Sequence, residues 1–275
     1  MGSKYVQSRT GNTFEQAKKF LQEGRRVLFT GTPCQIAGIK SFLREEYNNL
    51  LTVDVICHGV PSPKVWQMYL EELKKSDTQI MNISFRDKRS GWKNFSLTFS
   101  LEKSLRPADE VKESASFSHS HGKDMFFLGF NDYNLFLRPS CYACPVRGLR
   151  SGSDITIADF WGINSLMPAI DDDKGCSVII VNTKKGWEII DTTNAKLYDV
   201  KFDDIVSRNT SLYEDSKLAK ATLIDFFRYG VRLQTKRDYF FFDHSHSISD
   251  RVLILSNYKF YNLLRKIKHF LRRPQ

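Results

Sequence analysis

The stretch Arg26-Val-Leu-Phe-Thr-Gly-Thr-Pro-Cys-Gln35 decides the fold class, because it predicts a buried strand that leads directly into a helix. Residues Arg26 to Thr30 form a short apolar run that ends in a turn, which is typical of a strand in the core of a sheet. Thr32 can cap a helix that has Pro33 at its first position and continues to about Tyr47.

Helices and strands alternate on both sides of this stretch. A helix from Thr13 to about Gly24 precedes it, Leu51 to Ile56 predicts the next strand, and a third helix extends from Ser62-Pro63 to about Lys74. Strands and helices at this spacing indicate parallel strands joined by right-handed crossovers. The sequence therefore predicts an α/β fold with a parallel-sheet core and crossover helices.

The rest of the chain is predicted to add strands in the middle segment and a helical tail. Residues 102–122 are polar and are predicted to be loop. An α/β domain is expected over residues 1–200, followed by a mainly helical, basic region over 201–275. The remaining predicted elements are a hairpin of strands at Ile80–Phe85 and Phe95–Leu101, strands at Asp154–Asp159 and Ser177–Asn182, and helices at Asp124–Phe130, from about Lys184, and at about 251–272.

Four of the five cysteines stand in settings that indicate chemistry. Cys34 and Cys57 each follow the carboxyl end of a predicted parallel strand, so the topology places both at the same edge of the sheet. Cys34 also lies in the first turn of a helix, where the positive end of the helix dipole favours the thiolate that binds metal. Cys141 and Cys144 form a Cys-x-x-Cys pair before Pro145. Four thiols are a full ligand set for one iron–sulfur cluster, although zinc accepts the same set.

Composition indicates where the chain works and what it binds. The chain is 41% hydrophobic, has no apolar run long enough to span a bilayer and shows no signal peptide after Met1, which predicts a folded cytoplasmic protein. Thiols stay reduced in that compartment, so the clustered cysteines favour metal binding or catalysis over disulfides, and Cys176 is interpreted as a core thiol.

The charge of the chain does not predict nucleic-acid binding. The net charge is +10, but no nucleic-acid-binding motif accompanies it. The basic helix expected at 251–272 is predicted to be solvated or to dock a partner. Peripheral contact of its apolar face with an anionic membrane is the alternative.

Five motifs occur in order within about residues 2 to 185, and together they carry a family resemblance. They are Gly31-Thr-Pro-Cys-Gln35, Asp54-Val-Ile-Cys-His-Gly-Val-Pro-Ser62, Phe85-Arg-Asp-Lys88 with Gly91-Trp92, Arg138-Pro-Ser-Cys-Tyr-Ala-Cys144 and Asp154-Ile-Thr-Ile-Ala-Asp-Phe-Trp-Gly162. They closely resemble the coenzyme F-420 hydrogenase/dehydrogenase beta-subunit family. The resemblance implies an iron–sulfur flavoprotein oxidoreductase that passes electrons between a 4Fe–4S cluster, a flavin such as FAD, and a partner. It implies that Cys34, Cys57, Cys141 and Cys144 hold the cluster.

The resemblance also suggests partners and a pathway. Relatives often carry an N-terminal ferredoxin-like part before a Gly-Ser-Lys-Tyr-Val-Gln-Ser segment, which here directly follows Met1. We therefore expect the chain to lack that part and to exchange electrons with a ferredoxin or a separate ferredoxin-like chain. A small molecule is the expected acceptor. Many bacterial relatives lie in surface-polysaccharide clusters, so a role in polysaccharide biosynthesis is expected.

Seven residues are candidates for contacts with the flavin, the substrate or the cluster. Those near a helix start or the cysteines could contact the flavin pyrophosphate or orient the cluster loop. Those in the predicted hairpin combine positive charge with an aromatic ring. The candidates are Gly31, Thr32, His58, Arg86, Lys88, Trp92 and Asp159.

The sequence is also compatible with other functions. Cys34 could be a nucleophile with His58 as its base. The chain could also be a non-enzymatic docking module stabilised by zinc or a cluster, or a truncated remnant of such an oxidoreductase. The pairs His119/His121 and His244/His246 have the spacing of one strand face, but they are interpreted as loop residues rather than metal ligands.

Overall fold

The computed structural model describes residues 5–73, 78–104, 112–120, 124–132, 134–214 and 216. The described residues form two compact units. The first contains residues 5–7 and Val60–Arg138, and the second contains Ser8–Gly59 and Pro139–Ser216. The division into regions 1–200 and 201–275 stays a prediction, because residues 217–275 lie outside the described part.

The described elements confirm an α/β fold. The strands are β1 (Val27–Gly31), β2 (Leu50–Val55), β3 (Thr78–Asp87), β4 (Ser96–Ser104), β5 (Lys112–Ser120), β6 (Ile155–Asp159) and β7 (Ser177–Val181). The α-helices are α1 (Thr13–Gln22), α2 (Pro33–Leu43), α3 (Pro63–Leu73), α4 (Met125–Phe127), α5 (Ile163–Leu166), α6 (Lys184–Asp191) and α7 (Phe202–Arg208). A π-helical turn at Leu128–Asp132 and 3₁₀ turns at Pro139–Ala143, Pro168–Ile170 and Thr210–Leu212 complete the described regular structure.

The second unit is built on a four-stranded sheet in the order β1-β2-β6-β7. β1 pairs parallel with β2, and β2 pairs parallel with β6, as the alternating pattern predicts. β7 pairs antiparallel with β6, so the sheet is mixed at this edge. The carboxyl ends of three neighbouring strands therefore lie at one edge of the sheet, where α/β folds bind ligands.

Apolar side chains of α1 and α2 cover one end of this sheet. Ala17, Leu21, Ile39 and Leu43 form a buried cluster with Leu50 of β2. Burial of a Leu or Ile side chain contributes about 1.5–3 kcal/mol, so this cluster holds the helices on the sheet.

Helix α2 ends four residues before the predicted end. The prediction that it continues to about Tyr47 is wrong, because Arg44 adopts a left-handed conformation with φ of 60° and stops the helix after Leu43. Tyr47 nevertheless packs against the same apolar cluster. In the sequence it therefore has the position of an apolar residue on the buried face of a longer helix.

The first unit contains a three-stranded antiparallel sheet in the order β3-β4-β5. The predicted hairpin is confirmed as β3 and β4. The prediction of loop over 102–122 is wrong for residues 102–104, which end β4, and for Lys112–Ser120, which forms β5 and pairs with β4. Its Ser-rich sequence has the composition of a loop. Antiparallel strands can nevertheless expose one polar face, and the Ser118 hydroxyl lies 2.9 Å from that of Thr98 on β4.

Aromatic side chains form the core of the first unit. Trp66 of α3 packs against Phe85, Phe99 and Phe126, with ring centroids 4.7–6.5 Å apart. His119 lies on β5 rather than in a loop, and its Nδ1 is 3.1 Å from the buried Asp124 carboxylate. The other histidines interpreted above, His121, His244 and His246, lie outside the described residues.

The tail prediction is tested only over its first part. Helix α7 lies in the region predicted to be helical, and its Ile205 packs with Phe160, Ile163 and Val178. Cys176 packs against this cluster, as expected of a core thiol. The helix predicted at 251–272 lies outside the described residues. Among the helices that are described, none is long and apolar enough to cross a bilayer.

Candidate functional site

All four cysteines predicted to bind metal lie in the second unit. Cys34 is the second residue of α2, directly after β1, and Cys57 lies two residues beyond β2. Cys141 lies in the 3₁₀ turn Pro139–Ala143, and Cys144 follows that turn. Because β1 and β2 are adjacent and parallel, Cys34 and Cys57 lie at the same sheet edge, as the sequence predicts. Each of these cysteines carries a reduced thiol rather than half of a disulfide.

Three of the thiols lie close enough to perturb one another. Burial raises the pKa of Cys57 to about 12, and the neighbouring Cys141 and Cys34 thiols contribute to this rise because they disfavour another negative charge. The Gly59 N–H and the Arg147 guanidinium oppose the rise. Cys57 is therefore protonated at neutral pH without a metal, and a metal that binds there must displace the proton.

The thiols approach one another without forming a closed ligand set. Within the described part of the chain, no group of three or more Cys, His, Asp or Glu side chains is positioned to hold a metal ion. The two observations are compatible, because charges interact over several ångströms whereas metal–sulfur bonds are about 2.3 Å long. Four thiols in one unit suit iron–sulfur or zinc chemistry, so the donor set fits such a group once the cysteine loops close around it.

The turn that carries Cys34 is held by a capping interaction. The Thr32 N–H donates to Gln35 Oε1 at 2.9 Å, and the Thr32 hydroxyl lies 3.2 Å from Cys34 Sγ. A Cβ atom on Gly31 would lie 2.9 Å from Gln35 Oε1, so a side chain at this position would displace the Gln35 amide from its capping contact. The Thr32 N–H is thus engaged and Pro33 has none, which removes two backbone donors from the predicted phosphate site. Flavin binding by Gly31 and Thr32 stays a prediction.

A buried carboxylate joins the strand before Cys57 to the chain after Cys144. Asp54 is only 2% exposed, and it accepts hydrogen bonds from Ser151 Oγ at 2.5 Å and Thr156 Oγ1 at 2.6 Å. Asp54 is not among the site residues predicted from the sequence. The signal that could have identified it is a carboxylate on a mainly apolar strand, because a buried charge requires partners.

Asp154, directly before β6, is a second buried carboxylate. Asp154 accepts from the Thr52 N–H and hydroxyl, both at 2.8 Å, and from Thr183 Oγ1 at 2.7 Å. Burial acts to raise the pKa of Asp154, but the hydrogen bonds from Thr183 and Thr52 outweigh it and lower the pKa. The carboxylate therefore links β2 to the residues beside β6 and β7.

His58 lies next to Cys57 and contacts the end of the described chain. Its Nδ1 is 3.3 Å from Ser211 Oγ, and its carbonyl oxygen accepts from Ser216 Oγ at 2.6 Å. His58 is thus hydrogen-bonded to this segment, and its predicted role in orienting the cluster loop stays a prediction. The alternative in which His58 is the base for a Cys34 nucleophile stays a prediction.

Three of the candidate cofactor-binding residues lie in the first unit. Arg86 is buried, with its guanidinium carbon 5.6 Å from the Trp92 ring centroid and 4.5 Å from that of Phe95. Lys88 is exposed in the connection between β3 and β4. Arg86 and Trp92 thus form a cation–π pair that stabilises the hairpin, and their role in binding flavin stays a prediction.

Asp159 is the last residue of β6 and lies at the carboxyl edge of the sheet. Because β6 is parallel to β2, Asp159 and Cys57 both occur where their strands end at this edge. Gly162 follows in a left-handed conformation with φ of 78°, and a Cβ atom there would collide with the Arg208 side chain. The expected proximity of Asp159 to a cluster stays a prediction.

Comparison with known families gives the decisive observation. A family model for the C terminus of the coenzyme F420 hydrogenase/dehydrogenase beta subunit matches residues 24–204, which is more than half of the chain and includes all four cysteines. The chain belongs to this family. The resemblance of the motifs is thereby confirmed, and the family indicates a redox protein of the hydrogenase/dehydrogenase beta-subunit type. No curated protein matches the chain.

This member of the beta-subunit family has contacts that sequence analysis missed, both inside and outside the match. Asp54, Ser151 and Arg147 lie within residues 24–204, whereas Ser211 and Ser216 lie beyond them. Arg147 follows the Cys-x-x-Cys pair by three residues and contacts both cysteine loops. Cys57 and Ser211 are 90 and 64 positions distant from Arg147 in sequence, so no local pattern indicates these contacts.

Proposed function

We propose that the chain is an iron–sulfur oxidoreductase subunit whose four thiols, Cys34, Cys57, Cys141 and Cys144, hold one 4Fe–4S cluster. The observation that carries this proposal is that Cys34 and Cys57 lie at one sheet edge, within electrostatic reach of Cys141. The family, a hydrogenase/dehydrogenase beta subunit, supports a redox role. The four-thiol donor set supports a sulfur-ligated metal group.

The residues of the chain would determine how such a group behaves. A 4Fe–4S cluster supplies single-electron transfer, and a flavin can couple single electrons to two-electron chemistry. The partial burial of Cys57, Cys141 and Cys144 limits access of water to the thiols, while the exposed Cys34 lies on the side open to solvent. The Arg147 guanidinium favours the Cys57 thiolate needed for ligation.

The proposal includes a flavin, taken to be FAD, and an external electron partner. The candidate flavin contacts in the second unit are Gly31, Thr32, His58 and Asp159, and those in the first unit are Arg86, Lys88 and Trp92. A ferredoxin or ferredoxin-like chain would exchange electrons with the cluster, and a small molecule would be the acceptor. Surface-polysaccharide biosynthesis is the proposed biological setting, and it rests on the resemblance described above.

Loss of single thiols tests the proposal. Iron, acid-labile sulfide, zinc and flavin are measured on anaerobically purified wild-type protein and on Cys34→Ser, with Cys176→Ser as the matched control. We expect about four irons and four sulfides in the wild type and in the control, and loss or remodelling of the cluster in Cys34→Ser. Full iron and sulfide in Cys34→Ser would remove that residue from the ligand set.

The same measurement separates the competing functions. Zinc without sulfide in the wild type would contradict the electron-transfer function and support a module that is stabilised by a structural metal. Bound flavin together with iron and sulfide would support the complete redox proposal.

A further inference from the structure

Arg147 connects three parts of the second unit through its guanidinium. It donates a hydrogen bond to the Ser211 carbonyl oxygen at 2.7 Å. Longer N···O contacts of 3.4 Å join it to the carbonyl oxygens of Cys57 and Cys141. Contacts of the same length reach the carbonyl of His58 and the hydroxyl of Ser216. The Arg147 side chain is buried, with the residue only 6% exposed.

The Ser211 and Ser216 contacts belong to a segment that we call the strap, described at residues 209–214 and 216. The strap has further attachments besides the contact between Ser211 Oγ and His58 Nδ1. Ser216 Oγ donates to the His58 carbonyl at 2.6 Å, and the Gly148 N–H donates to the Leu212 carbonyl at 2.8 Å. A Cβ atom on Gly148 would lie 3.0 Å from the Tyr213 ring, so the strap packs directly on this turn.

The chemistry of arginine explains why this position has one. A guanidinium presents five N–H donors in a rigid plane and stays charged at all relevant pH values, so it can serve several carbonyl oxygens at once. A lysine ammonium is a single point on a flexible stem and cannot reproduce this fork. Without Arg147, the carbonyls of Cys57 and Cys141 would lose a shared partner in a buried place.

We propose that Arg147 is a positioning residue and that the strap is its anchor, so that together they keep the segment around Cys57 next to the segment around Cys141, from where the thiols can close around a metal. This inference rests on the proposed function. The strap lies beyond residue 204, where the family match ends, so the family match does not assign it this role.

The fixed charge gives the inference a readout that simple loss of structure would not produce. A cation beside the thiolates stabilises the more negative, reduced form of a cluster. Arg147→Met removes the charge and should therefore lower the reduction potential. Arg147→Lys keeps the charge but loses the planar set of donors. Its reduction potential should therefore lie closer to that of the wild type than its metal retention does.

The experiment compares Arg147→Met, Arg147→Lys and Ser216→Ala with Arg26→Met, which removes an exposed arginine of the same unit. Iron retention against a chelator, the electron paramagnetic resonance spectrum of the reduced protein, and the reduction potential are measured. Groups that orient metal ligands typically change metal affinity by about 10- to 100-fold, which is the loss of retention expected for Arg147→Met. Arg26→Met should match the wild type.

A metal-free readout separates this inference from the proposed function. Hydrogen–deuterium exchange is followed in the peptides that contain Gly148 and Cys57–His58. Because the Gly148 N–H is bonded to the strap, exchange there should accelerate in Arg147→Met and in the milder Ser216→Ala. If the wild-type protein contains no iron, the proposed cluster function is refuted but the inference about Arg147 is not. The exchange data still decide whether Arg147 holds the strap in place.

Results on the variants can refute the inference about Arg147. If Arg147→Met and Ser216→Ala keep wild-type exchange, iron retention and reduction potential, Arg147 does not position the cysteine loops. If Arg147→Met does not fold, Arg147→Lys and Ser216→Ala decide the question through the same measurements.

Discussion

Replacing Asp54 by alanine should destabilise the second unit by about 3 kcal/mol. The carboxylate is 2% exposed and accepts two short hydrogen bonds, from Ser151 and Thr156. Hydrogen bonds to charged groups contribute about 1.5–3 kcal/mol each, which gives a gross loss of about 3–6 kcal/mol. Removing the charge also removes the cost of burying it, which offsets part of that loss.

The assay is urea unfolding of the metal-free protein, followed by circular dichroism. Asp54→Asn keeps one acceptor oxygen and should lose about half as much stability as Asp54→Ala. The exposed Asp199 provides the matched control, and Asp199→Ala should change the free energy of unfolding by less than about 0.5 kcal/mol.

A double-mutant cycle locates the effect at the contact itself. Ser151→Ala combined with Asp54→Ala should show a coupling energy of about 1–2 kcal/mol, because the two side chains share a direct hydrogen bond. The reasoning is refuted if the free energy of unfolding of Asp54→Ala stays within about 0.5 kcal/mol of the wild-type value. A buried carboxylate that accepts two hydrogen bonds should contribute more than that.

Three further predictions concern ionisation and buried hydrogen bonds. The pKa of Asp154 is lowered in the folded state, so its contribution to stability is present above its ordinary pKa of 3.8 and is lost as pH falls through the lower folded value. Asp154→Asn should therefore make the free energy of unfolding less dependent on pH, as measured between about pH 5 and 2. The pKa of Cys57 is about 12, so iodoacetamide at about pH 8 should alkylate the exposed Cys34 before Cys57 in the metal-free protein, and equal rates by peptide mass mapping would contradict this order. The Tyr69 hydroxyl donates to the buried Asp124 carboxylate at 2.6 Å, so Tyr69→Phe should cost about 1.5–3 kcal/mol in urea unfolding, and an unchanged midpoint would show that the bond contributes little.

Local patterns in the sequence predict the elements that carry the first two cysteines. The apolar run before Gly31, the cap at Thr32 and the proline after it are all short-range signals, and the structure has β1 and the start of α2 where they predict them. The expectation that β1 is buried is wrong, because β1 is an edge strand whose alternate residues are exposed. Strand topology then places Cys34 and Cys57 at one edge, because parallel neighbours end on the same side.

The errors have physical causes that a local pattern does not contain. Helix α2 ends early because Arg44 takes a left-handed conformation, although its side chain is a good helix former. Strand β5 has a loop-like composition and is recognised only through its pairing with β4.

The contacts of the candidate site were the least predictable part. Asp54 and Ser151 are 97 positions apart, and Arg147 and Ser211 are 64 apart. Each pair forms a hydrogen bond only because the sheet and its loops bring distant segments together. The residue types and spacings of the cysteines therefore indicate the chemistry, while the groups that position them become visible only in three dimensions.

Native mass spectrometry of the anaerobically purified chain tests the central proposal most directly. The account predicts a mass increment that corresponds to one 4Fe–4S cluster, with any bound flavin as a separate increment. The increment should be absent when Cys34 and Cys57 are both replaced by serine and retained in Cys176→Ser. An increment that corresponds to a single zinc ion, or a chain that carries no metal in the absence of oxygen, would contradict the proposal that these thiols hold an iron–sulfur cluster.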